Sequence, residues 1–197
     1  MKVGVQTIRT TVQCWLFVAI LTACVAGGVT AAFGQQWQLD NLVLDSSQGG
    51  HVRVRFGVQC PVEPLKQLLT DEGATVRVGF EAALRRERLL LWEKQEAVAR
   101  RLYYLKSRAL SQEYELKGEG LNKPLVGTEL APLLDKAWST LEMDLGAWHQ
   151  LQPGSEYVVD LRIECDRADV PVWLRRALFF WSWDVLPPRT YRLRFRY

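Results

Sequence analysis

Histidine, cysteine and methionine are scarce in this chain of 197 residues, with two, four and two copies. A protein metal centre gathers several His, Cys or carboxylate ligands at structured spacing. No Cys-x-x-Cys run occurs, and His51 and His149 fall in separate predicted turns. Both read as lone surface histidines, so no metal and no other cofactor is expected. Serine catalysis lacks its Gly-x-Ser-x-Gly elbow, since Gly154-Ser155 runs on into Glu156-Tyr157. Gly118-Glu119-Gly120 lacks the lysine and following helix of a phosphate loop and reads as a hairpin turn. Low-complexity tracts and internal repeats are missing too. So is a strong excess of one charge: 25 Lys and Arg against 22 Asp and Glu give +3. Without the first 34 residues Lys2 and Arg9 are lost, and the net falls to +1. Nucleic-acid binding needs a concentrated positive footprint, so no such partner is expected.

The one long apolar run lies at the start. Cys14 to Phe33 carries no charge, behind Lys2 and Arg9. Its length suffices to span a hydrocarbon core, and its build matches a secretory leader, with small residues at Val29-Thr30-Ala31 and Ala32-Phe33-Gly34 for cleavage. Three outcomes are open: cleavage, retention as a single N-terminal anchor, or lipidation at Cys24 within Leu21-Thr22-Ala23-Cys24. The third is disfavoured, because Val25 to Phe33 stays apolar where a lipoprotein has a polar tether. Residues 1–34 are therefore expected to be a signal peptide or membrane anchor. Residues 35–197 are expected to form one domain, periplasmic or held at the inner membrane facing the periplasm.

That domain alternates. Val52, Val54, Phe56, Val58 and Cys60 interleave with Arg53, Arg55, Gly57 and Gln59. Tyr157 to Cys165 and Tyr191 to Tyr197 repeat the period of two, and Val76, Val78, Phe80 and Ala82 begin another strand. Trp37 to Leu44 suggests a first strand broken at Asn41, and Ala97–Lys106 with Ser111–Lys117 a hairpin turning near Arg108. Pro61–Leu69 has helical spacing. A second helix is predicted from a Thr128 cap, with Leu130, Leu133, Leu134, Ala137, Trp138 and Leu141 on one face. A third short helix is predicted over Val172–Leu178, and Pro187-Pro188 is expected to redirect the chain into the last strand. The expected fold is mainly β: an antiparallel β-sandwich, immunoglobulin-like in general architecture, with two or three short helices. An α+β antiparallel sheet backed by helices is the alternative.

Four groups of residues invite a functional reading. Arg192, Arg194 and Arg196 point to one side of the last strand, and Arg53 and Arg55 to one side of another. If those strands are neighbours, five guanidiniums form one face suited to an anionic partner, either an envelope protein or an anionic lipid surface. The bland reading is a solvated face balanced by nearby carboxylates. Cys60 and Cys165 both continue the inward register of their strands and are candidates for a disulfide in an oxidising compartment; two buried thiols that never meet are the alternative. Asp160 and Glu164 share a strand face about 13 Å apart, too wide for a glycosidase pair, and read as solvated. Ala177–Leu186 is apolar enough to touch a membrane surface but reads better as core.

Several stretches together resemble one bacterial family, the domain of unknown function 4390 family. They are Asp169-Val170-Pro171-Val172-Trp173-Leu174, Phe179-Phe180-Trp181-Ser182-Trp183-Asp184, Leu91-Trp92-Glu93-Lys94 and the run from Leu105 to Tyr114. The resemblance covers about residues 37–197. It implies an exported protein of proteobacterial type with no assigned reaction, and it brings no catalytic residue with it. The reading is a non-enzymatic envelope protein that binds a partner through a sheet edge or basic face. A membrane-anchored accessory or sensory module is the alternative, and a hydrolase is less favoured.

Overall fold

The computed structural model describes residues 37–45, 50–87, 94–170 and 184–197. The leader with Cys24, the helix expected over Val172–Leu178 and most of Ala177–Leu186 lie outside them. In chain order the elements are β1 (Gln38–Asp45), β2 (His51–Gln59), α1 (Val62–Asp71), β3 (Val76–Arg86), β4 (Lys94–Arg108), β5 (Glu113–Gly118), β6 (Leu125–Gly127), α2 (Leu130–Trp138), β7 (Leu141–Ala147), a 3-10 turn (Trp148–Gln150), β8 (Glu156–Arg167) and β9 (Asp184–Arg196). The strands form two antiparallel sheets, one in the order β1-β2-β7 and a larger one in the order β6-β5-β4-β3-β8-β9.

The inward residues of both sheets share one core, as period-two alternation requires. Val52, Val54, Phe56 and Val58 come from the small sheet; Val76, Val78, Phe80, Val159, Leu161 and Ile163 come from the large one. Phe80 meets Phe56 of the facing sheet at 6.0 Å between ring centres, and packs edge-on against Tyr103 at 5.8 Å and Trp138 at 5.6 Å. Gly57 is required by a close approach. A Cβ there would sit 2.7 Å from the carbonyl oxygen of Ser139, where the end of α2 crosses β2.

The break expected at Asn41 is a bulge. Asn41 has φ 52°, and the pairing steps from Asp40↔Gly57 to Val43↔Arg55, so two residues of β1 face one of β2. Asparagine tolerates this left-handed backbone better than most residues.

Three expectations are corrected. Thr128 does not cap α2; the helix starts after Glu129, whose backbone is extended and whose side chain makes no capping bond. Leu141 is not helical. The helix closes with Ser139 N–H donating to the Asp135 carbonyl, and Leu141, Met143 and Leu145 then alternate inward along β7. Pro187-Pro188 lies inside β9 rather than before it. The pairing steps from Ile163↔Arg189 to Cys165↔Leu186, so both prolines bulge opposite Glu164. An edge strand tolerates the missing N–H groups.

Candidate functional site

The outer face of the large sheet is built on β3, which is flanked by β4 and β8. Its outward positions include Arg77, Gly79 and Glu81. Register sets Tyr104 and Asp166 beside Arg77, Leu102 and Glu164 beside Gly79, and Arg100 and Arg162 beside Glu81. The centre of this three-by-three grid therefore has no side chain. Around it opens a groove of about 420 Å³, floored by Gly79 and Leu102 and walled by charged residues. Gly79 does not have the positive φ that favours glycine, so its backbone does not demand that residue. A Cβ would meet only Leu102 Cδ2, at 3.4 Å. A glycine inside a strand weakens it, and often marks a place where something approaches closely.

Six charges line the groove, and they pair within it. Arg77 Nε donates to Asp166 Oδ1 at 2.9 Å, and its Nη2 donates to Asp166 Oδ2. Arg100 Nε donates to Glu81 Oε2 at 2.6 Å, and Arg162 Nη2 lies 2.6 Å from Glu164 Oε1. The hydrogen bond to Asp166 holds the Arg77 guanidinium protonated beyond its usual range. Three arginines against three carboxylates leave the walls neutral.

Farther along the same sheet, β5 carries Glu115, paired with Lys106 of β4. Its side chain is 1% exposed, with Lys117 Nζ at 2.8 Å, Arg108 Nε at 2.6 Å and Lys106 Nζ at 3.5 Å. Hydrogen bonding from Lys117 leads in holding this carboxyl down to about 2; burial opposes it, and Arg108 and Lys106 reinforce it. A depressed carboxyl stabilises the fold fully above the unfolded range near 4.5, and that contribution disappears as pH falls through about 2. Glu115→Gln is expected to lower the urea midpoint at pH 6 and to leave it nearly unchanged at pH 2.

The five-arginine face is not assembled. Among the described residues β2 pairs with β1 and β7, whereas β9 lies at the edge of the large sheet beside β8. Outward side chains of two facing sheets point apart. Arg53 donates to Glu142 at 3.0 Å and Arg55 to Asp45 at 2.8 Å. Arg192 Nε donates to Asp160 at 2.8 Å, and Arg194 Nε lies 3.3 Å from Glu87. Arg196 projects from the exposed end of β9. Asp160 is not solvated: it is 7% exposed, enclosed by Arg192 and by Arg85 at 3.5 Å. Glu164 shares the outer face of β8 with it and is exposed.

Cys60 and Cys165 are free thiols, so the candidate bridge is not formed in this structure. Cys60 lies just past the end of β2 and is half-buried, while Cys165 is fully buried. Burial pushes Cys60 up to about 12 and raises Cys165 as well. Neither is a ready nucleophile, because the thiolate is the reactive form. His51 Nδ1 sits 2.8 Å from Asp144 Oδ2, a half-exposed pair at the β2–β7 ladder. Among the described residues no three His, Cys, Asp or Glu cluster as metal ligands, and no helix is long and apolar enough to cross a membrane.

Comparison with protein families finds a match over residues 34–194 to the family described as Domain of unknown function (DUF4390). The chain belongs to this family. The match takes in β1 to β8 and nearly all of β9, and so every residue of the groove. Comparison with curated proteins and with solved structures returns no match.

Sequence reading missed the groove. Its signal was present as Arg77-Val78-Gly79-Phe80-Glu81, where one outward position of an alternating strand is blank.

Proposed function

We propose that this DUF4390 protein is a non-enzymatic, exported envelope protein whose domain is an interaction module, with the Gly79 groove as its binding surface. The observation that carries the reading is the vacant centre of the outer face: a glycine that its backbone does not require, at the floor of a walled groove. The leader-like Cys14–Phe33 run supports export and a periplasmic location, free or anchored at the inner membrane.

The test is capture of crosslinked envelope material, proteins and glycans alike, identified by mass spectrometry. Gly79→Phe fills the groove and is expected to abolish capture, with a melting temperature close to that of the native protein. Gly79→Ala is expected to raise stability by about 0.5 kcal/mol by restricting the unfolded chain. The triple change of Arg192, Arg194 and Arg196 to Gln is expected to spare capture. If the triple variant loses its partners while Gly79→Phe keeps them, the binding surface is the β9 edge and not the groove.

A further inference from the structure

The geometry points to a neutral oligosaccharide as the ligand of the groove, an inference that rests on the binding role proposed above. Every wall charge already has an opposite partner within the groove: Arg77 with Asp166, Arg100 with Glu81, Arg162 with Glu164. A charged ligand would therefore meet walls of no net charge, with no opposite field to draw it in. An extended peptide has no strand edge to join here, because β3 is paired on both sides.

Hydroxyl groups meet this surface differently. Guanidinium only donates and carboxylate only accepts, while a hydroxyl does both. Adjacent hydroxyls of a sugar can therefore bridge a guanidinium and its carboxylate without separating them. Arg162 and Glu164 keep half their surface in water, so both have hydrogen-bonding capacity to offer. Tyr104 stands beside Arg77 in the register, 42% exposed, and presents a ring for the C–H face of a sugar. The volume of about 420 Å³ falls in the usual small-ligand range and holds roughly two linked sugar rings.

The experiment titrates the full-length, isotope-labelled chain with neutral trisaccharides (maltotriose, cellotriose and the trimer of N-acetylglucosamine) and follows amide shifts by NMR. Sulfated trisaccharides and a neutral tripeptide serve as comparators. Expected is a neutral trisaccharide that moves the Gly79, Leu102 and Glu164 amides, with affinity changing less than about twofold between about 50 and 500 mM salt. Gly79→Phe and the charge-conserving double variant Arg162→Ala/Glu164→Ala are each expected to weaken it by about tenfold or more. If no neutral trisaccharide binds, or only the sulfated sugars or the tripeptide move these amides, the ligand class is wrong. Loss of partner capture by Gly79→Phe alongside that result would leave the groove standing as a binding site. Retained capture would remove the site itself.

Discussion

Trp138→Ala is expected to lower the unfolding free energy by about 3–5 kcal/mol, the range for truncating a buried aromatic. The indole closes α2 and is fully buried, edge-on to Phe80 at 5.6 Å and to Tyr103 at 5.9 Å. It joins the helix to the large sheet, while Phe80 carries the packing on to Phe56 of the small one. Among the described residues its Nε1 has no hydrogen-bond partner, so packing dominates its contribution. Trp138→Phe is therefore expected to recover most of the loss, and denaturant unfolding of the two variants checks this. Since whole domains are stable by about 5–15 kcal/mol, the alanine variant is expected to melt well below the native protein. Equal losses in both variants would show that the indole N–H matters after all.

Gly118→Ala is expected to cost about 2–4 kcal/mol, a large effect for one methyl group. Gly118 lies opposite Tyr103 in the β4–β5 ladder. A Cβ there would stand 2.3 Å from Tyr103 Cδ1 and 2.7 Å from the Leu102 carbonyl oxygen. The tyrosine is 1% exposed and wedged against Phe80 and Trp138, so it cannot retreat. The check is a double-mutant cycle. In a Tyr103→Ala background the alanine at 118 is expected to cost much less. An equal cost in both backgrounds would assign the penalty to the backbone oxygen instead. The contrast with Gly79 is instructive, because two strand glycines of this sheet are kept open for opposite reasons, one filled by a neighbouring ring and one left vacant.

Period-two alternation made the strands legible. Val52 to Val58 and Tyr157 to Cys165 lie in β2 and β8 with their inward faces as read. β7 was hidden because Leu141 falls at helical spacing from Trp138, although Leu141, Met143 and Leu145 alternate cleanly once the helix is ended at Ser139. The pair Pro187-Pro188 was read as a break because a central strand rejects proline, but β9 is an edge. The groove was beyond local reading. Arg77 and Gly79 are visible as outward positions, but their neighbours Asp166 and Glu164 come from nearly ninety residues away, through strand pairing that no local pattern encodes. The arginine face failed for the same reason: which strands adjoin is decided by topology, and β2 and β9 belong to different sheets.

The prolines of β9 carry one more consequence. Among the described residues β8 is its only partner in the sheet, so thirteen residues of backbone stand at a rim, the kind of edge on which a second molecule adds a strand and starts a fibre. Two adjacent prolines withhold two donors there, and their bulge breaks the ladder opposite Glu164. Pro187 and Pro188 thus act as a built-in stop to end-on growth, and a variant with valine at both positions should turn turbid at concentrations the native chain tolerates.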